Sequence, residues 1–411
     1  MAISGLTHCP LNPPNLGDFK SSSPQRGIAR WEVRGAKPNK LRKSYISSTT
    51  VILTMATGIV YPVTLGRSHY QQPLLAQSWQ EAQLTQLISG HRSDVNSLTI
   101  SPDSQTLISS SKDKTIKFWN LRDGRLQKTI KDFTRTPSAL VISADGKRLA
   151  AATERQINIW NLETGAPPRT LKGHTGIVRS IAISPDGKIL VSGSPDKTVM
   201  VWDVLTGQSL GTITEHSDWV TAVAISPDGK HLVSASGGSD RSIKIWDLST
   251  LELRKTISKQ PGQISDIAIS EDSNILVASV DKIVKLWDIN SGEELAILES
   301  HSAPILSIAI SSDSKTIASA GSDKTIKLWD VDSRQLLRTL SGNDGWVWSV
   351  AISPDGNTLV SGGEDGTIRI WSLVLNPISL EQEIKNRESG IGNRESGEVL
   401  LVGWAKTVWF Q

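Results

Sequence analysis

The sequence predicts an all-β propeller of seven four-stranded antiparallel blades, and three observations predict it. Tryptophans recur at Trp119, Trp160, Trp202, Trp246, Trp287, Trp329 and Trp371, each followed by Asp, Asn or Ser, at spacings of 41, 42, 44, 41, 42 and 42 residues. Self-similarity at that period marks a repeat architecture in which each unit is one small sheet. Within each unit, short β-branched runs are separated by turn-forming residues. An outer-strand sequence, Leu84 to Ile88, precedes the first unit with no inner strands of its own.

The unit ending at Trp202 shows why its residues make strands. Val178 to Ile183 is apolar and β-branched, and Ser184-Pro185-Asp186-Gly187 closes a turn. Proline presets φ there, Asp bonds its own backbone, and Gly supplies a positive φ. Ile189 to Ser192 is the second strand and Thr198 to Trp202 the third, with a turn at Ser194 to Lys197 between them. Ser209 to Thr212 supplies a fourth, outer strand.

Gly173-His174, Ser192, Asp196 and Trp202-Asp203 resemble the WD40 repeat, over roughly Leu84 to Leu373. The resemblance implies a hydrogen-bonded tetrad, Asp to His, His to Ser, and Ser to the indole N–H. The chemistry makes sense independently, since a buried Trp needs a partner for its single donor.

By matching residues, the tetrads are His91, Ser109, Asp113 and Trp119 in blade one, and His174, Ser192, Asp196 and Trp202 in blade three. Blade four has His216, Ser234, Asp240 and Trp246, with Gly237-Gly238 lengthening its turn and expected to disturb the geometry. Blade six has His301, Ser319, Asp323 and Trp329. Blade seven places Asn343 where His belongs, beside Ser361, Asp365 and Trp371. Blade two is reduced to Phe133, Ala150, Glu154 and Trp160, and blade five to Gln260, Ala278, Asp281 and Trp287. Hydrophobic packing must carry those two.

The orphan strand Leu84–Ile88 is explained by closure. It completes the last blade, whose other three strands run from Val347 to Trp371, and leaves no exposed edge. The propeller thus spans 84–374, and a monomer is expected.

Residues 1–45 hold eight Lys or Arg against two acids and no apolar period, so a disordered basic arm is expected. A solvated flank outweighs a nucleic-acid arm here, because the aromatic interleaving such a surface needs is confined to Trp31. Residues 46–66 lack charge entirely and follow Lys40, Arg42 and Lys43. They read as a signal peptide or transmembrane anchor, giving an exported or membrane-anchored protein; a loosely packed apolar strand in a cytoplasmic protein is the alternative. Residues 67–83 are a polar linker. After 374 the pattern stops, and 375–411, with Asn386-Arg387-Glu388-Ser389-Gly390 repeated at 393–397, is a low-complexity tail.

Composition narrows function. A net charge of +3 gives no global field toward nucleic acid, and the single Cys9 excludes a disulfide framework and a cysteine zinc site. His8, His69 and His231 have no companions at ligand spacing, and no phosphate-binding loop is present, so no metal or cofactor is expected. The turn aspartates lie in separate blades, too dispersed for paired acid–base work. Other propeller families include hydrolases and quinone-dependent dehydrogenases, but nothing here clusters ionisable groups. The expectation is a non-enzymatic interaction scaffold for a protein partner; a cytoplasmic regulatory propeller and a nucleic-acid binder are the alternatives.

The WD40 resemblance implies partner contacts on the rim made by the loop entering each innermost strand. Matching positions include Asp94 and Asn96, Ser138, Ile177 and Arg179, Trp219 and Thr221, Pro304 and Leu306, and Trp346 and Trp348. The residue before each turn Asp, such as Lys112 or Glu364, lies near them. Arg179, Trp219, Pro304, Leu306, Trp346 and Trp348 are the candidate partner-binding residues, because Trp and Arg dominate interface energies. The last four are expected to form one apolar patch across blades six and seven.

Overall fold

The structure, a computed structural model, describes residues 50–54, 60–64 and 79–373, apart from 132 and 300. The basic arm 1–45 and the tail 375–411 lie outside the described residues. Two compact units are distinguished, 1–71 with 395–411, and 72–394. In the first, Thr50–Thr54 pairs antiparallel with Val60–Thr64 in the register Thr50 to Thr64. The described part of the apolar stretch 46–66 is therefore two paired strands. Among the described residues no helix is long and apolar enough to cross a membrane.

The second unit is the propeller, seven four-stranded antiparallel sheets. Blade three runs Ser180–Ile183, Ile189–Gly193, Val199–Asp203 and Ser209–Ile213 from the innermost strand outward. Its turn residue Gly187 has φ 69° and each equivalent position is likewise positive, including Ser104, Ser273 and Ser314. In those three blades the serine accepts the left-handed conformation and hydrogen-bonds a neighbouring blade. Its hydroxyl takes the amide of Asp355, Asp228 or Glu271 respectively, at 3.0–3.2 Å.

Closure follows the expected route. Ala82–Ile88 pairs with Ile368–Leu373 as the outer strand of the blade built on Val347–Ile352 and Thr358–Gly363. The linker expected over 67–83 ends earlier than placed. Trp79–Glu81 is a short 3-10 turn, and Trp79 is buried with Ala318, Leu340, Leu359 and Trp371. One large apolar side chain among polar neighbours was enough to anchor that end.

The core is distributed among the blade interfaces. Each of seven buried clusters draws residues from two adjacent blades, so every blade is stabilised only by its neighbours. Trp202, for example, packs on Ala139, Ala150, Ala152 and Ile157 of blade two. The cluster between blades one and two has the fewest buried members, Ile108, Ile116, Phe118, Leu140, Leu149 and Ala151.

A hoop of hydrogen bonds runs round the innermost strands. The free edge of such a strand carries backbone groups with no fifth strand to bond. Ser97, Ser180, Ser307 and Ser349 accept the amides of Leu140, Val223, Val350 and Leu98 in the next blade, at 3.0–3.3 Å. Blades two and four have Ala139 and Ala222 at this position. There the preceding residue substitutes, Ser138 donating to Val178 O (2.9 Å) and Thr221 to Ile264 O (2.6 Å). Blade five uses Asp266, which accepts the Ile308 amide at 2.8 Å. Every interface has at least one such bond.

Candidate interaction surface

The tetrads fix the loops that carry the rim. In blade three Trp202 Nε1–H donates to Ser192 Oγ (2.9 Å), Ser192 lies 2.8 Å from His174 Nε2, and His174 Nδ1 lies 2.9 Å from Asp196. Because indole only donates, the serine hydroxyl donates onward to His Nε2, leaving Nδ1–H for the carboxylate. Blades one, four and six repeat the arrangement with all three distances between 2.7 and 2.9 Å. The disturbance expected from Gly237-Gly238 is absent. Asp218 accepts the amide (2.8 Å) and hydroxyl (2.9 Å) of Ser239 and pins the longer turn outside the tetrad.

The four tetrad serines are fully buried and doubly bonded, so none is placed to attack a substrate. Electrostatics agree with a structural role. Burial pushes the Asp113 carboxyl up, but bonds from Thr115, the Arg92 amide and His91 outweigh it and hold the group at about 2. Burial lowers His91, His216 and His301 despite their aspartates. Among the described residues no group of three His, Cys, Asp or Glu could hold a metal ion.

The degraded blades use other means. In blade two Phe133 meets Trp160 edge to face at 5.9 Å, and Glu154 pairs outward with Arg135 at 3.0 Å. In blade five Gln260 is buried with its Oε1 unpartnered. Blade seven is repaired. Arg369, only 4% exposed, donates to Asp365 (2.7 Å), while Asn343 turns away to Lys324 O (3.1 Å). Trp371 keeps its serine, Ser361, at 3.2 Å.

On the rim the candidates separate. Trp219 is 53% exposed and Trp346 43%, large fractions for tryptophan in a folded chain. Arg179 and Pro304 are exposed, while Leu306 and Trp348 are half-buried. Trp346 and Trp348 are in edge contact at 5.4 Å. The ring of Trp348 also lies beneath Lys112 of blade one, its ammonium 5.6 Å from the centroid. The ring contacts of the two tryptophans thus join blade seven to blade one, and among the described residues none joins them to Pro304 or Leu306 of blade six. Asn96, Ser138 and Thr221, rim positions by sequence, are spent on neighbouring blades instead.

Comparison with known families decides the assignment. The WD40 family, described as WD domain, G-beta repeat, matches residues 82–120, 165–203, 207–247, 251–288, 292–330 and 334–372, more than half of the chain. The chain belongs to the WD40 family. The gap between the first two WD40 matches falls on blade two, whose tetrad is lost. Periodic tryptophan protein 2 of Arabidopsis thaliana is 35% identical over 80 residues, 20% of this chain. The match spans 9% of that protein's length.

Four features escaped sequence reasoning. Arg369 stands where other blades carry Lys117, Lys244, Lys285 or Lys327, and that column held the signal of its altered role. Asp266 interrupts a column of Ser and Ala. Trp79 had no repeat to mark it, and the contact of Lys112 with Trp348 joins residues far apart in sequence.

Proposed function

We propose that this WD40 propeller is a non-enzymatic scaffold that binds a protein partner through the rim carrying Trp219, Trp346 and Trp348. The observation that carries the reading is the exposure of Trp219 and Trp346 on loops held by tetrads or their substitutes. Rigid, exposed aromatics give contact area at little entropic cost, and Trp is the residue most enriched at binding hot spots. Arg179, Pro304 and Leu306 complete the surface in this reading. The uncharged stretch 46–66 supports an exported or membrane-held location, and recovery of the full chain in the soluble cytoplasmic fraction would remove that part of the reading.

The test is site-specific photocrosslinking in the native host, with the photoreactive residue at Trp346 or at Leu205, which is 69% exposed on the turn after Trp202. The reading predicts a discrete protein adduct from position 346 and none from 205. Equal labelling from both positions contradicts it.

A further inference from the structure

The rim already holds a cation of its own. The Lys112 ammonium lies 2.6 Å from Asp94 Oδ2 and over the ring of Trp348, so one charge bridges an acid of blade one and an aromatic of blade seven. The Lys112 side chain is 51% exposed and that of Asp94 16%. Trp346 meets Trp348 edge-on with ring centroids 5.4 Å apart, and its amide donates to Glu364 at 3.2 Å. The same blade-seven loop presents Asp344, its side chain 89% exposed, with Arg369, buried on Asp365, 3.6 Å from its carboxylate and Lys324 donating to its backbone carbonyl at 2.9 Å. Beside this cluster the indole N–H of Trp348 is buried without a partner. A buried donor left unbonded is unfavourable.

Resting on the rim reading above, we propose that Trp348, Trp346 and Asp94 receive a lysine or arginine side chain of the protein partner, and that Lys112 is an internal stand-in which this side chain displaces. An ammonium or guanidinium over a tryptophan face beside a carboxylate is a favourable arrangement, and more so when a partner excludes water. Releasing Lys112 gives up its contacts with Asp94 and Trp348, and the incoming cation remakes the same contacts, so like replaces like. Burial raises the Asp94 carboxyl, but the Lys112 hydrogen bond and charge, its own backbone amide and Ser93 together outweigh it and lower the group, so the acid is charged at neutral pH. An acidic partner would gain Lys112 but would face Asp94, Glu364 and Asp344.

The proposal is tested by the indole N–H signals of the full chain labelled with 15N-tryptophan, titrated with capped tetralysine and capped tetraglutamate. Trp346→Phe and Trp348→Phe assign the two signals, and that of Trp219 is the control. Tetralysine is expected to move the Trp346 and Trp348 signals and leave Trp219 in place. Lys112→Ala should tighten its apparent Kd about threefold or more, and Asp94→Asn should weaken it about tenfold. Movement by tetraglutamate that Lys112→Ala abolishes overturns the proposal, with the rim reading left standing. Equal movement of Trp219, or no movement with either peptide, also overturns it. The rim reading is then judged separately by the crosslink from position 346.

Discussion

Arg369 donates to Asp365 at 2.7 Å in the one blade where asparagine replaces the tetrad histidine beside a retained aspartate. Both side chains are largely shielded, with side-chain exposures of 5% and 14%. The donor to the turn aspartate has moved from the loop before the blade to its third strand, and here it carries a charge.

Removing that partner strands a shielded carboxylate. Arg369→Met should destabilise the protein by about 3 kcal/mol, because breaking a buried pair leaves one charge uncompensated. Arg369→Lys combined with Asn343→His should recover most of the loss by rebuilding the arrangement of the other blades. Urea denaturation of the variants measures both, and an unchanged midpoint in Arg369→Met contradicts the account.

How much of this was legible depends on whether a residue's role repeats. Trp202 and its counterparts announced the third strand of every blade, and Leu84 announced the closure, because repetition supplied the register. Arg369 and Asp266 are single departures within columns, and their partners come from another strand or another blade. The contact of Lys112 with Trp348 depends on how the ring brings its first and last blades together, and the burial of Trp79 on how the N-terminal strand joins the last blade beside blade six. Sequence spacing carries no signal of that.

Blades two and five lack the tetrad, so their third strands are tied to fewer loops. Amides of Gln156–Asn161 and Ile283–Asp288 should exchange sooner than those of Val199–Asp203 in native-state hydrogen exchange. The small cluster between blades one and two makes the first of these the faster. Equal protection in all three strands would sink this view of the tetrad.

Asp266 makes the hoop sensitive to pH. Burial raises its carboxyl to about 6 against the opposing bonds from the Ile308 and Ile267 amides and Ser307. Although the residue keeps some surface area, its carboxyl is enclosed by protein. The folded pKa exceeds the unfolded value of 3.8, so its favourable contribution is complete below that value and is lost as pH rises through about 6. Asp266→Ser keeps an acceptor for Ile308 and matches four other blades. It should add on the order of 2 kcal/mol at about pH 8 and almost nothing at about pH 4. A gain independent of pH would assign the effect to packing.

The tetrads have the opposite sign. His91, His216 and His301 are lowered from 6.5 by burial, and Asp113 is lowered from 3.8 to about 2. Their contributions are present above those unfolded values and are lost on acidification, first for the histidines and then for the aspartate. In the Asp266→Ser background, the urea midpoint should fall steadily below about pH 6.5 and steeply below about pH 4. A level midpoint down to about pH 4 would show that the buried histidines do not resist protonation.

The central claim is that the aromatic rim binds a protein partner. The most direct measurement is the affinity of the partner identified by crosslinking for the chain and for its Trp346→Ala and Trp348→Ala double variant. Circular dichroism of both chains checks the fold. Loss of about 2 kcal/mol or more with an unchanged spectrum is the predicted result. Unchanged affinity in a folded double variant would contradict the claim.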